Sequence, residues 1–283
     1  MITASGGLVY HARAARSLFR LFNPEATWSP TRQKVSRWVH DWVELHRFKN
    51  LILIGPSAAY LMDNNVWSEV EHLVVIEPDR MAKWIFKMRF RSGTGIQLAR
   101  TRKKASAWSC TWLHRSDLLP YFSRDPNEFS KFLQNYDPES TGILFFGCLG
   151  QMPFHEKDFS RKEEEARSLL LAATEPFSTA SLHDLSSVTV PALSKKTARE
   201  IAELDLHLPE SEYGHHVIQD LVGQLSGRLE SFMEQGSEVS AIAPSEKLVW
   251  TDHDTYWLGR PSAVCPWTLT SKQIHILGFV TRP

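Results

Sequence analysis

Two stretches decide the fold: Asn50-Leu51-Ile52-Leu53-Ile54-Gly55-Pro56-Ser57-Ala58-Ala59, and then His72-Leu73-Val74-Val75-Ile76-Glu77-Pro78-Asp79. Each is a short apolar run, rich in β-branched residues and closed by turn formers. Runs of that length and continuity suit strands buried on both faces. Tyr60-Leu61-Met62 resumes the apolar character after the turn. The segment therefore reads as strand, turn, crossover helix, parallel strand and acidic tip. An open sheet built this way binds ligands in the crevice at the carboxyl ends of its strands.

The residue types at that crevice predict its chemistry. Gly55 permits a sharp bend with no side chain in a ligand's path. Pro56 fixes φ and removes a donor. Ser57, Ala58 and Ala59 are small enough for a ligand to lie against the main chain. A helix starting near Ala59 would turn its free N–H groups and positive dipole end toward an anion. Glu77 follows Gly55 by about 22 positions, close to the spacing at which an acidic side chain binds ribose hydroxyls.

Ile52 to Ala59, with Val75-Ile76-Glu77-Pro78-Asp79, resembles the first two motifs of class I, Rossmann-like S-adenosylmethionine-dependent methyltransferases. That family's loop reads Gly-x-Gly-x-Gly, and this chain has Gly55, Ser57 and Ala59 at the three places. The resemblance implies S-adenosylmethionine as cofactor. Gly55 and Ser57 would lie against its methionine part and Glu77 against its ribose, with Ala59 in the same cofactor-binding loop. It further implies that Asp117 accepts from the adenine amino group, with Leu118 as an apolar wall. By the same resemblance, Gly147 would open the stretch that meets both the methyl group and the acceptor. The family's Asn/Asp-Pro-Pro-aromatic set for amide nitrogen is absent there, and Gln151 is the polar side chain best suited to orient an acceptor. Cys148 as a nucleophile is the weaker idea.

Composition bounds the alternatives. The chain has 283 residues, 42% of them hydrophobic, which is enough for a substantial core. A formal charge of +0 supplies no overall drive toward nucleic acid or membrane. Cys110, Cys148 and Cys265 are odd in number and far apart, which points to a reducing compartment, the cytoplasm, rather than to a disulfide framework. No apolar run is long enough to span a membrane. Arg13, Arg16 and Arg20 precede the first acidic residue, Glu25; this reads as a basic helix more readily than as a transit peptide. Arg80 to Arg115 carries ten basic residues and no acidic one up to Ser116. No aromatic residues interleave Arg100 to Lys104, so a solvated surface is favoured over an RNA contact.

The expected architecture is α/β: a three-layer Rossmann-like methyltransferase sheet, mostly parallel, with an antiparallel last strand. Residues 1–49 form an N-terminal helical cap, with Ser29 and Pro30 opening a helix that carries Val35, Trp38, Val39, Trp42 and Val43 in a stripe. Residues 50–283 form the main domain, with 186–212 an insertion or lid. Further strands are expected at Ala107–Thr111, Gly142–Phe146 and Ala180–Leu185. Val217, Ile218, Leu221, Val222, Leu225, Leu229 and Phe232 mark one face of a helix over His216–Gln235. Lys247–Leu258 and Trp267–Thr281 would pair as a hairpin through Gly259-Arg260-Pro261-Ser262.

His183 beside Asp184 is the acid–base pair to consider, because His titrates near neutrality. Asp252-His253-Asp254 invites a metal reading, but the residues are crowded and His275 lies on a different strand, so no metal is expected. The expected activity is methyl transfer to an acceptor left open among small molecule, protein and RNA. The rival readings are a methyltransferase-like subunit that binds without catalysing, and a nucleotide- or dinucleotide-dependent enzyme that uses the same Gly55 and Glu77.

Overall fold

Leu51 to Ile54 and Leu73 to Ile76 are all at most 2% exposed, as continuous apolar runs demand of central strands. They belong to β1 (Asn50–Ile54) and β2 (His72–Ile76), paired in parallel with Ile54 opposite Ile76. The computed structural model describes residues 28–67, 70–96, 109–115, 118–119, 125–147, 159–190, 192–234, 248–253 and 255–283. Within them lie α1 (Ser29–His46), α2 (Arg80–Ile96), β3 (Ser109–Leu113), α3 (Glu128–Leu133), β4 (Thr141–Phe146), α4 (Phe159–Thr174) and β5 (Ser178–Thr189). Then follow α5 (Lys195–Glu203), α6 (His215–Glu234), β6 (Trp250–Asp252), β7 (Ala263–Thr270) and β8 (Gln273–Arg282). The strand order is β3-β2-β1-β4-β5-β8-β7, with β6 paired to β5. The last strand stands between β5 and β7 and runs antiparallel to β7. The fold is α/β, a mixed sheet with flanking helices.

The chain divides into two compact units. In the first, among the described residues of 36–181 and 281–283, β3, β2, β1 and β4 form a parallel ladder. Every residue of β4 is buried. From α2, Ala82, Ile85, Phe86 and Phe90 recur at helical spacing and are buried. Phe86 meets Trp112 edge-on at 5.4 Å between ring centroids and Phe90 meets Trp67 at 5.5 Å. From α1, Val39, Trp42 and Val43 are buried, and Trp42 packs on Phe48 at 4.8 Å. Phe48 also lies over Gly142: a Cβ there would come within 2.6 Å of the Phe48 ring. Gly142→Ala is therefore expected to cost about 1–3 kcal/mol through overpacking, measured as a lower urea midpoint with unchanged slope.

The second unit holds the described residues of 28–35 and 182–280. The α6 face read from the sequence is the buried one: Val217, Ile218, Leu221, Leu225 and Leu229 join Leu185, Val188, Ile201, Ile274 and Ile276 in one core. Ile201 comes from α5, whose Thr197, Ala198 and Ala202 are also buried. Residues 186–212 thus contribute the end of β5 and a packed helix, where their polarity suggested an insertion or lid. β7 ends the strand order and contains Pro266, a residue suited to an edge strand. The first turn of α1 covers that edge. Trp28 Nε1 donates to Thr268 O at 2.9 Å and Thr31 Oγ1 to Pro266 O at 3.0 Å.

The closing hairpin differs from expectation. Its turn is Ser271-Lys272, inside what the sequence presents as one strand from Trp267 to Thr281. Lys272 N donates to Thr270 Oγ1, which stabilises the bend. Gly259 still turns the chain, at φ +99, but its neighbours lead from a single helical turn at Tyr256–Leu258 into β7. Among the described residues of the Lys247–Leu258 run, Trp250–Asp252 joins the sheet. Residues 1–27 of the expected cap lie outside the described residues.

Candidate functional site

Parallel register brings Gly55, Glu77 and Gly147 to one edge. Ile54 is opposite both Ile76 of β2 and Phe145 of β4, so the residues following all three strands emerge side by side. Gly55 N donates to Ile76 O at 2.9 Å and closes the corner.

The loop after β1 keeps a glycine-type backbone without the glycines. Gly55, Ser57 and Ala59 have φ of 68°, 52° and 51°. Those are the three places where the resembling family carries glycine. A non-glycine residue in the left-handed region costs roughly 1–2 kcal/mol. Ser57→Gly should accordingly raise stability by about 1 kcal/mol, read from denaturant midpoints. Strain of this kind persists only where the surroundings impose it, and it gathers at ligand sites.

Two groups impose it. The first is Glu77, 7% exposed, which accepts from Ser57 N at Oε2 (2.8 Å) and from Asp79 N at Oε1 (3.0 Å). Its own backbone is pinned to β3: Glu77 N donates to Leu113 O, and Trp112 Nε1 donates to Glu77 O. Asp79 caps α2 by accepting from Met81 N at 2.8 Å. The second group is Arg89, one α2 residue in the basic stretch that composition assigned to solvent. Its Nη1 donates to the carbonyls of Ala58 (2.6 Å) and Ala59 (2.5 Å), and its Nη2 to those of Tyr60 (3.5 Å) and Met62 (3.0 Å). The guanidinium also lies 5.4 Å from the Tyr60 ring centroid. Burial pushes the Tyr60 hydroxyl pKa well above its ordinary value, partly offset by the Arg89 charge.

These contacts correct one expectation. The described residues between β1 and β2 contain turns and a single helical turn at Asn64–Trp67, but no α-helix beginning near Ala59. Arg89 explains the difference. Its guanidinium gathers the carbonyls of Ala58, Ala59, Tyr60 and Met62 onto one group, whereas successive helix carbonyls stand about 100° apart around the axis and bond along it. The helix-terminus argument for an anion therefore does not apply, and the fixed positive charge near this loop is Arg89 instead.

Gly147 has φ +67, and nothing lies within 4 Å of where a Cβ would stand. Leu118 is buried at 1%. Asp117, Cys148 and Gln151 lie outside the described residues.

The second unit contains a different cluster. His183 and Asp184 are successive residues of β5, so their side chains leave opposite faces. His183 is buried. Asp184 Oδ2 is 3.2 Å from His275 Nδ1 on β8, and the His253 and His275 rings stack with centroids 6.3 Å apart. The sequence pairs Asp184 with His183 because they are adjacent; the sheet pairs it with His275, 91 positions away and invisible to local spacing. Burial raises the Asp184 pKa, but His275 at 3.2 Å and the charges of His253 and His183 outweigh it, leaving it below the ordinary 3.8. Burial lowers the His253 pKa below 6.5 despite the Asp184 charge.

Both shifts leave the folded chain with fewer bound protons than the unfolded one in acid. The contribution from His253 is complete above pH 6.5 and is lost as pH falls through that value; the one from Asp184 is lost below 3.8. In the presence of chelator, stability should rise between about pH 5 and 7, and His253→Gln should flatten that rise in midpoints taken across the range.

No family model and no curated protein matches the chain. Solved structures do. The N-methyltransferase NodS from Bradyrhizobium japonicum WM9, in complex with S-adenosyl-L-homocysteine, is 10% identical over 96% of this chain and 98% of its own, with a TM-score of 0.35. The methyltransferase domain of bacterial CtHen1 is 12% identical over 69% of this chain and 84% of its own, with a TM-score of 0.34. The StiE O-MT, residues 961–1257, is 12% identical over 95% of this chain and 81% of its own, with a TM-score of 0.36. At such scores the likeness carries no argument, and the α/β assignment stands on the strand order and pairings of this chain.

Proposed function

We propose that the chain binds S-adenosylmethionine at the carboxyl edge of β1, β2 and β4 and transfers its methyl group to an acceptor. One observation supports this above the others: Gly55, Ser57 and Ala59 all hold positive φ against the preference of Ser and Ala, with Glu77 bonded to that bend. The residues fit the cofactor. Gly55 and Gly147 offer bare backbone, and a carboxylate such as Glu77 is the acceptor type that bonds ribose hydroxyls. When bound, the sulfonium supplies an already reactive methyl group. What the chain supplies is position and exclusion of water. The acceptor's class is left to experiment; His183 and Asp184, the expected acid–base pair, belong to the second unit.

A second reading, a binding subunit without catalysis, draws on the engagement of both Glu77 oxygens by loop amides and on the missing crossover helix. Calorimetry with S-adenosylmethionine, S-adenosylhomocysteine and NAD separates the readings. Heat from the first two and none from NAD is expected. Heat from NAD alone favours a dinucleotide enzyme, and no heat from any favours the scaffold.

A further inference from the structure

We propose that Asp184, His253 and His275 form a binding site for one divalent transition-metal cation. One ligand atom from each residue lies within 4.8 Å of the other two. Asp184 Oδ2 and His275 Nδ1 are 3.2 Å apart. Two ligands on one tetrahedral cation at about 2.0–2.1 Å stand roughly 3.3 Å apart, so this pair is already at ligating distance.

The site is built on the sheet. Asp184 is on β5 and His275 on its neighbour β8; His253 follows β6, which pairs with β5 at Ser186 opposite Asp252. His253 N donates to Leu185 O at 3.2 Å, which ties the third ligand to the first strand. The His253 ring is oriented through Nε2 by Ser187 Oγ at 2.9 Å. Ligating imidazoles are held in this way, through the nitrogen turned away from the metal. His275 is 9% exposed, and neither of its ring nitrogens makes a hydrogen bond among the described residues, although Nδ1 lies 3.2 Å from Asp184 Oδ2. A cation between Asp184 Oδ2 and His275 Nδ1 would give that nitrogen the partner it lacks.

Two imidazoles and one carboxylate select borderline first-row cations such as Zn²⁺, Fe²⁺ or Co²⁺ over Mg²⁺ or Ca²⁺. Three protein ligands leave a coordination position for water or an incoming group, as catalytic rather than structural sites do. This inference does not rest on the cofactor reading, because its readout is metal and not methyl transfer.

The test is to strip the full chain with chelator and titrate it with Zn²⁺ by calorimetry and with Co²⁺ by visible absorption. One ion per chain is expected. Asp184→Asn and His275→Gln should each weaken binding by more than the ~10–100-fold that loss of an outer-shell partner costs. His40→Ala should leave binding unchanged; it breaks up the group of half-buried His40 and exposed Asp41 and Glu44, the other cluster within ligating reach among the described residues. Absence of stoichiometric binding overturns the proposal. So does binding that survives Asp184→Asn and His275→Gln, or binding that His40→Ala abolishes. Should those two variants fail to fold, X-ray absorption at the zinc edge of the wild-type chain decides. Two imidazoles around the ion support the site, and an all-oxygen shell refutes it.

Discussion

Replacing Arg89 with Met is expected to lower the unfolding free energy by on the order of 3 kcal/mol and to abolish the proposed cofactor binding. Met keeps the unbranched apolar stem of the side chain but loses the guanidinium over Phe90 and donates nothing. The carbonyls of Ala58, Ala59 and Met62 then lose a charged donor at 2.6, 2.5 and 3.0 Å. Hydrogen bonds to charged groups contribute roughly 1.5–3 kcal/mol, and a buried acceptor left unmatched costs roughly 1–3 kcal/mol. The sum is not additive, because the loop relaxes when its anchor goes. Relaxation is itself the second expected effect: released from Arg89, Ser57 and Ala59 leave the left-handed region, and the bend that would take the ligand goes with them. Arg89→Lys should recover only part of the loss, since an ammonium cannot span carbonyls set in a guanidinium's plane. Urea unfolding measures the first effect and calorimetry the second. A loss below about 1 kcal/mol would mean that the loop holds its shape without Arg89.

Glu77→Ala produces the second large effect, on stability and binding together. The amides of Ser57 and Asp79 lose their acceptor in a place that is 7% exposed. At roughly 1–3 kcal/mol for each buried unsatisfied donor, the expected cost is about 2–5 kcal/mol. Binding of S-adenosylhomocysteine should weaken by a further 1.5–3 kcal/mol, roughly 10- to 150-fold, the contribution of a charge-assisted hydrogen bond to ribose. Glu77→Gln separates the two. It keeps one acceptor for the loop but sets an NH₂ against the other amide, so it should retain more stability than Ala. An equal loss in both variants would place the effect in packing rather than in the carboxylate. Unchanged affinity in Glu77→Ala would remove Glu77 from the ribose role.

The elements legible in the sequence are those whose signal is local. Leu51 to Ile54, Leu73 to Ile76 and Gly142 to Phe146 are unbroken apolar runs, and their strands appear within a residue of the expected limits. The α6 stripe from Val217 to Leu229 is periodic over three turns, and its face is the buried one. What the sequence hides is set by partners far along the chain. Nothing near Ala59 announces that Arg89 will take its carbonyl, so a helix reading of that segment was natural and incorrect. The Ser271-Lys272 turn carries no Gly, Asn or Pro, whereas Gly259-Arg260-Pro261-Ser262 has the stronger turn composition and drew the hairpin to itself. The grouping of Asp184, His253 and His275 depends on β8 inserting beside β5, a topological fact with no local mark. At the candidate cofactor site the residues Gly55, Ser57, Ala59 and Glu77 were legible, but the positive φ at Ser57 and Ala59 was not, because neither type favours it.

Hydrogen exchange with and without S-adenosylhomocysteine tests most directly whether the bend and the carboxylate together hold a ligand. The account predicts that the amides of residues 55–59 and 77–79 exchange more slowly when the compound is present, and that this protection disappears in Glu77→Ala. Protection confined to other segments, or none at saturating concentration, would contradict it.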